Sequence, residues 1–135
     1  MADAGEDLRT YIVADTTVGG IIGTACYQNT VPETVSLPFV WFVRRGVEFL
    51  EILGETETKP YREYYDIECV ADGVDDAIDL CDAVRARLQG TSGTIGAGTY
   101  QWVDVTDQSE TYVPRNIADD ERLTIAALAV EVINQ

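Results

Sequence analysis

The stretch of residues 61–90 constrains the fold most, because its apolar pattern changes there from the period of a strand to that of a helix. Between 61 and 71, one set of alternate positions is mostly apolar and the other is mostly charged. The first set is Tyr61, Glu63, Tyr65, Ile67, Cys69 and Ala71, and the second is Arg62, Tyr64, Asp66, Glu68 and Val70. This alternation predicts a half-buried β-strand.

An amphipathic helix is predicted directly after this strand. Its apolar stripe, at helical spacing, consists of Val74, Ala77, Ile78, Cys81, Val84 and Leu88. Asp72 is predicted to cap its N-terminus, and Gly90 to end it in a left-handed conformation. We therefore expect the helix to lie on the apolar face of the strand, and an aspartate in place of Ile78 to prevent folding.

The N-terminal third is predicted to form helical segments followed by a short strand. Residues 4–14 predict a helix whose buried edge is Leu8, Tyr11 and Ile12. The adjacent glycines in 16–23 favour a turn or a short helical piece. Residues 24–28 are predicted as a short strand, and 29–37 as a polar loop.

The run 39–43 is apolar on both faces, which indicates a central strand or one covered by a neighbouring subunit. Arg44-Arg45-Gly46 is expected to end it. Residues 47–53 suit either a second strand or a helical turn, because the run is too short for its period to decide. Residues 54–60 are charged and are predicted to form an exposed loop.

The C-terminal third alternates between breakers and apolar runs. Residues 91–99, rich in Gly and Thr, predict a turn or flexible loop, and 100–106 predict a strand. Residues 107–121 are expected to form a long polar connection. Residues 123–133 contain enough alanine for a helix, but their β-branched residues favour a strand.

These elements predict a single domain over 1–135 of the α+β class. Its antiparallel or mixed β-sheet should carry an N-terminal helix and one central amphipathic helix on one face. A chain of 135 residues suits one domain, and no repeat or linker divides it.

The charge balance limits the possible partners. Nine basic residues face 24 acidic ones, giving a formal net charge of −15, and there is no histidine. Such a chain should bind nucleic acid poorly and be repelled by anionic membranes. The acidity either serves solubility or a salty habitat, or provides a surface that a polyanion passes without sticking.

The three cysteines, Cys26, Cys69 and Cys81, form neither a CxxC pair nor a metal-binding spacing. We expect buried, reduced thiols and a cytosolic folding environment. The acidic N-terminus does not read as a signal peptide, and no apolar run reaches the length of a membrane helix.

No catalytic, cofactor or metal site is predicted, and the chain is not expected to be an enzyme. Without histidine, Ser–His and Cys–His nucleophile pairs are excluded. The acidic cluster of 72–79 lacks the spacing of a calcium loop and is explained by capping and a solvated helix face. Glu48, Glu51, Glu55 and Glu57 lie in or beside a predicted loop and suit a solvated edge.

Large aromatic residues on strands and a doubled arginine suggest a subunit interface, because interfaces are enriched in these residue types. An ordinary half-exposed sheet would explain the same aromatics. The candidate interface residues are Trp41, Arg44, Arg45, Tyr64 and Trp102.

Several local sequences, in this order, resemble one known family. They are Leu37-Pro38-Phe39-Val40-Trp41, the segment 65–69 that leads into 75–84, Asp107, and Tyr112-Val113-Pro114 before a final apolar strand. The pattern resembles the tail-completion or tail-terminator proteins of long-tailed bacteriophages, the family of the minor tail protein that caps the tail tube of phage lambda.

The resemblance implies a virion structural protein that forms a ring, typically of six subunits. The ring would sit on the last ring of tail-tube protein, stop polymerisation and offer a surface to the head-completion or connector protein. DNA would pass through its lumen without specific binding. The implied location is the tail–neck region of the virion, after assembly in the host cytoplasm. The family supplies no functional residue that can be carried over.

A small acidic α+β binding or regulatory module of a cell is the alternative function. A ring with a central hole in negative-stain images would favour the virion protein. A compact monomer that binds a small ligand in a defined pocket would favour the module.

Overall fold

The computed structural model describes residues 4–49, 61–95, 98–112 and 123–134, and all structural statements below refer to these. In chain order the elements are α1 (Gly5–Val13), α2 (Thr16–Ile22), β1 (Cys26–Gln28), β2 (Phe39–Phe49), β3 (Tyr61–Asp72), α3 (Val74–Leu88), β4 (Thr91–Ile95), β5 (Gly98–Tyr112) and β6 (Leu123–Asn134).

The strands form one mixed sheet in the order β1-β2-β3-β6-β5-β4. β1 pairs with β2 in parallel, and the four other pairings are antiparallel. The predicted α+β class is confirmed, with the helices on one face of a curled sheet. β6 lies between β3 and β5, which confirms a strand rather than a helix over 123–133.

The core lies between the helices and one face of the sheet. β3 contributes its odd-numbered residues, as the alternation predicts, and Tyr65, Ile67 and Cys69 are buried there. On β6 the buried set is Thr124, Ala126, Leu128, Val130 and Val132. We call the sheet face that carries these buried residues the helix-covered face, and the opposite face of the sheet the open face.

The buried stripe of α3 is rotated relative to the predicted one. Ala77, Cys81, Val84 and Leu88 are buried as expected, but Leu80 is buried too, whereas Val74 is exposed and Ile78 only half-buried. α3 crosses β3, β6 and β5, and this broad contact turns Leu80 inward. Ile78 is therefore not the central contact between helix and sheet.

Two glycines delimit α3. Gly73, with a φ of 96°, occupies the N-cap position, so the prediction that Asp72 caps the helix is wrong. Asp72 pairs with Leu123 as the last residue of β3, and the sharp change of direction falls to the glycine, which adopts positive φ without steric cost. Gly90, with a φ of 73°, follows the helix in the left-handed conformation as predicted.

The predicted N-terminal elements are confirmed. Leu8 and Ile12 of α1 are buried and Tyr11 is half-buried. α2 is a short helix, and the Asp15 carboxylate accepts a hydrogen bond from the Val18 amide at 3.0 Å. β1 forms within 24–28, and 29–38 contain no helix or strand.

The prediction that β2 ends at Arg44-Arg45-Gly46 is wrong. A β-bulge between Arg44 and Gly46 absorbs one extra residue, and the strand continues to Phe49. Within 47–53, the described residues are therefore strand. The rest of that segment and the predicted loop at 54–60 lie outside the described residues.

The glycine-rich segment after α3 is also more regular than predicted. Residues 91–95 form β4 and pair with β5, so a flexible loop is wrong there. β5 continues through Tyr112, and 107–112 of the predicted polar connection are strand paired with β6. The rest of that connection lies outside the described residues.

Candidate assembly surface

The open face of the sheet carries most of the residues predicted to form an interface. Apolar and charged side chains are mixed on it, and most are half-buried or exposed. By strand register the face includes Phe39, Trp41, Val43, Arg62, Tyr64, Asp66, Glu68, Val70, Trp102, Asp104, Ile125, Ala127, Ala129, Glu131 and Ile133. Among the described residues, the helices pack on the other face, against the buried core.

Two of the candidate residues, Trp41 of β2 and Tyr64 of β3, are hydrogen-bonded to carboxylates. The Trp41 indole donates a hydrogen bond to Glu68 Oε2 at 2.6 Å, and the Tyr64 hydroxyl donates to Glu48 Oε2 at 2.7 Å. Trp102 is 44% exposed. The two bonds fix the Trp41 and Tyr64 rings on the open face, and aromatic residues are enriched at interaction surfaces.

The structure separates the two predicted arginines. Arg45 is exposed and pairs with Asp66 of the open face at 3.2 Å. Arg44 pairs across the bulge region with Glu63 of the helix-covered face at 3.7 Å. Of the five candidate residues, four therefore belong to the open face, and Arg44 contributes to the buried side of the sheet.

Glu63 is a polar centre that the sequence pattern did not single out. Its side chain is fully buried, and Oε2 accepts hydrogen bonds from the Tyr65 hydroxyl at 2.7 Å and the Ala4 amide at 3.0 Å. The Ala4 amide also donates to the Tyr65 hydroxyl at 2.9 Å. The carboxylate thus holds the N-terminus of α1 against the sheet, where negative charge also suits the helix dipole. The only indication in the sequence is that Glu63 is the one charged residue among the mostly apolar alternate positions of 61–71.

A second polar contact joins α1 to the far side of the sheet. The Tyr100 hydroxyl donates a hydrogen bond to Asp7 Oδ2. Burial, and then this bond, raise the pKa of Tyr100 above its ordinary value. α1 is therefore held by polar contacts to β3 and β5 in addition to its apolar stripe.

The three cysteines are free thiols and all are buried, as predicted. Burial raises the pKa of Cys26 to about 11 from 9.0. A hydrogen bond with Cys81 and burial raise the pKa of Cys69 well above its ordinary value. Cys26 and Cys69 are therefore held in the protonated form, which is unreactive, whereas the hydrogen bond with Cys69 lowers the pKa of Cys81.

A cavity of about 400 Å³ lies between α2, α3 and the segment before β2. Ile21, Leu37, Pro38 and Ala71 give it an apolar floor, and Asp72, Asp76 and Asp79 form one rim. Within the described residues, no three His, Cys, Asp or Glu side chains are grouped so that they could hold a metal ion. No helix of the described part is long and apolar enough to cross a membrane.

Comparison with known proteins gives matches at the level of structure. No protein-family model and no curated protein matches the sequence. The chain is similar to a solved chain from the virion of a native gene transfer agent particle, with a TM-score of 0.64 and 15% identity, over 95% of this chain and 92% of that one. A second solved structure, 13% identical, matches with a TM-score of 0.50 over 94% of each chain. At these identities the matches show that the fold is shared over nearly the whole chain.

Proposed function

We propose that this protein is a structural component of a phage-like virion, and that it forms the ring that terminates the tail tube. The observation that carries the proposal is the fold shared with a chain of a gene transfer agent virion, which covers both chains almost completely. The order of sequence motifs that resembles tail-terminator proteins supports the same function independently of the coordinates.

In the proposed assembly, about six copies form a ring on the last ring of tail-tube protein. One side of the ring blocks further polymerisation, and the other receives the head-completion or connector protein. The action is geometric and non-catalytic, and it needs no cofactor. The helix-free sheet face, with its fixed aromatic residues, provides contact surface for such an assembly.

The acidity of the chain fits a protein through which DNA passes. Neutralising phosphates requires Lys and Arg, and an acidic wall therefore does not hold the DNA backbone. On the open face, Asp66 pairs with Arg45 and Glu131 pairs with Arg62. The proposed location is the tail–neck region of a virion assembled in the host cytoplasm.

Deletion of the gene from the phage or prophage that encodes it tests this function. Without a terminator, tail tubes should grow to irregular lengths and heads should lack tails, and expression of the chain in trans should restore both. Electron microscopy of the particles gives the result. Tubes of normal length joined to heads in the deletion strain would contradict the proposal, as would a particle map that places the chain away from the upper end of the tail.

The cavity between α2 and α3 favours the alternative function, a small acidic binding or regulatory module. Its apolar floor and acidic rim would suit a small cationic ligand with an apolar body. A compact monomer that binds such a ligand tightly, with the binding abolished by Ile21→Asp, would favour the module over the virion protein.

A further inference from the structure

The registers of the sheet place its two edge strands at opposite corners. At one corner, β1 lies beside the beginning of β2: the row that starts with Cys26 and Val40 continues through Cys69 and Ala126, and ends at Glu110 of β5. β4 does not reach this row, because its first paired residue, Thr91, lies opposite Val103.

At the other corner the situation is reversed. The row of Val47 runs through Glu63, Val132 and Val103 to Thr91 of β4. β1 does not reach this row, since its last paired residue lies beside Phe42. The sheet therefore has a notch beside residues 43–49 of β2, which we call the β2 edge. On its other side β4 protrudes from the row of Val47 to the row of Phe49 and beyond, since Gly93 lies opposite Tyr100 in that last row.

The chain covers the backbone of its other edges. On β1, the Arg9 guanidinium donates to the Cys26 carbonyl at 2.8 Å, and the Thr30 amide donates to the Gln28 carbonyl at 2.8 Å. On β5, the Val105 amide donates to Gln89 Oε1 at 3.3 Å. Among the described residues, nothing comparable covers the outward backbone of the β2 edge or of β4.

β4 also lacks the usual protection of an edge strand. Its sequence, Thr-Ser-Gly-Thr-Ile, contains no charge and no proline, although 24% of the chain is charged. Natural edge strands are normally protected by such residues or by a covering segment. An uncovered, uncharged edge is therefore suited to pairing with another strand.

The two sides differ in charge, although Arg44 and Arg45 already pair with Glu63 and Asp66 of their own subunit. β2 carries Arg44 and Arg45 against one glutamate. The β4–β5 hairpin carries no basic residue, and two of its acidic residues, Asp104 and Asp107, lie in the rows of Gly46 and Val43.

Exposed aromatic residues lie at the same level. Phe49, 60% exposed, ends the β2 edge. Trp102, 44% exposed, lies on β5 beside the turn into β4, with its ring 3.8 Å from the position that a Cβ on Gly90 would take. By register Phe49 lies on the helix-covered face and Trp102 on the open face, so the two sides offer apolar side chains on opposite faces of the sheet.

We infer that β4 of one copy pairs with the β2 edge of the next, so that the sheet continues from subunit to subunit. The antiparallel pairings make β2 and β4 run in the same direction, so the new pairing is parallel when the ring axis follows the strands. β1, which ends beside Phe42, limits how far an incoming strand can shift along β2. Because the contact joins two different surfaces, it propagates around a ring. This inference rests on the proposed ring and names the contact that closes it.

Hydrogen–deuterium exchange of the assembled and dissociated protein tests the pairing directly. Amides in both 43–49 and 91–95 should exchange more slowly in the assembled protein, while those in β1 should be unchanged. Assembly without added protection at these two segments would overturn the inference and leave the proposed function standing. A chain that stays monomeric at its highest soluble concentration, and is absent from the tail end of the particle, would overturn both.

A matched pair of substitutions gives the second test. Phe49→Asp should weaken self-association about tenfold or more, as loss of a central aromatic contact does. Val74→Asp changes a residue that is also exposed, adds the same charge and lies at the start of α3, and it should leave association unchanged. Both variants should retain the circular dichroism of the wild type. Equal effects of the two would show that charge alone, and not the β2 edge, controls association.

Discussion

Trp41 and Glu68 lie directly opposite each other on β2 and β3, and a hydrogen bond of 2.6 Å joins the indole nitrogen to the carboxylate. The pair fixes the indole of Trp41 on the open face. A cross-strand contact of this kind fixes strand register as well as side-chain position. It links the local chemistry of the sheet to the surface that the protein offers for assembly.

The first prediction concerns this pair. Glu68→Ala should lower the free energy of unfolding by about 1 to 2 kcal/mol, because a partly buried bond to a charged acceptor is lost. Glu48→Ala is the control, since it removes the carboxylate bound by Tyr64 at an exposed position and should cost less than about 0.5 kcal/mol. Urea unfolding followed by tryptophan fluorescence measures both. Equal losses of unfolding free energy in the two variants would show that the hydrogen bond between Trp41 and Glu68 stabilises the fold no more than an exposed one does.

The second prediction concerns the buried carboxylate beneath α1. Glu63→Ala should lower the free energy of unfolding by about 3 kcal/mol or more, because it leaves the Ala4 amide, the Tyr65 hydroxyl and Arg44 without their common partner. Glu63→Gln should cost less, since its amide oxygen can still accept from Ala4. Denaturant unfolding gives the stabilities, and hydrogen exchange should show α1 opening first in the alanine variant. An alanine variant as stable as the wild type would contradict this role.

Sequence patterns predicted the elements whose periodicity is local. β3 and α3 follow from alternation and helical spacing within 61–88, and β6 follows from its β-branched residues. β4 and the second half of β5 were missed because their pairing partners are distant in sequence. The glycine, threonine and acidic residues of these segments are typical of loops, and they form strands because β5 pairs with β6 and β4 pairs with β5. The bulge at Arg44 and Gly46 was hidden for the same reason.

The candidate surface could be predicted only in part. Trp41, Tyr64 and Trp102 were recognisable as large rings on strands, and all three lie on the open face. Arg44 was grouped with Arg45 because they are adjacent, but adjacent strand residues point to opposite faces. Phe49 was not singled out, since its segment could not be assigned to a strand or a helix. Which edges of the sheet are covered depends on contacts such as Arg9 to Cys26, which no periodicity reveals.

The third prediction follows from the rotated stripe of α3. Leu80→Asp should abolish soluble folding, because it places a carboxylate at a position with 0% exposure between helix and sheet. Ile78→Asp, at a half-buried position, should fold with a loss of about 1 to 3 kcal/mol, in contrast to the expectation from sequence. Soluble yield and far-UV circular dichroism distinguish the two. A soluble, folded Leu80→Asp variant together with an insoluble Ile78→Asp variant would support the apolar stripe of α3 that the sequence predicted, with Ile78 at its centre.

The last prediction concerns alkaline pH. The pKa of Cys26 is about 11 in the folded chain against an ordinary value of 9.0, so the folded state keeps a proton that the unfolded state loses. The stabilising contribution is complete below pH 9, declines as pH rises and is gone near pH 11, where its loss amounts to about 2 to 3 kcal/mol. Denaturant unfolding of the wild type and Cys26→Ala between pH 8 and pH 11 tests this, and the variant should lose less stability over that window. Parallel curves for the two proteins would show that ionisation of Cys26 is not linked to unfolding.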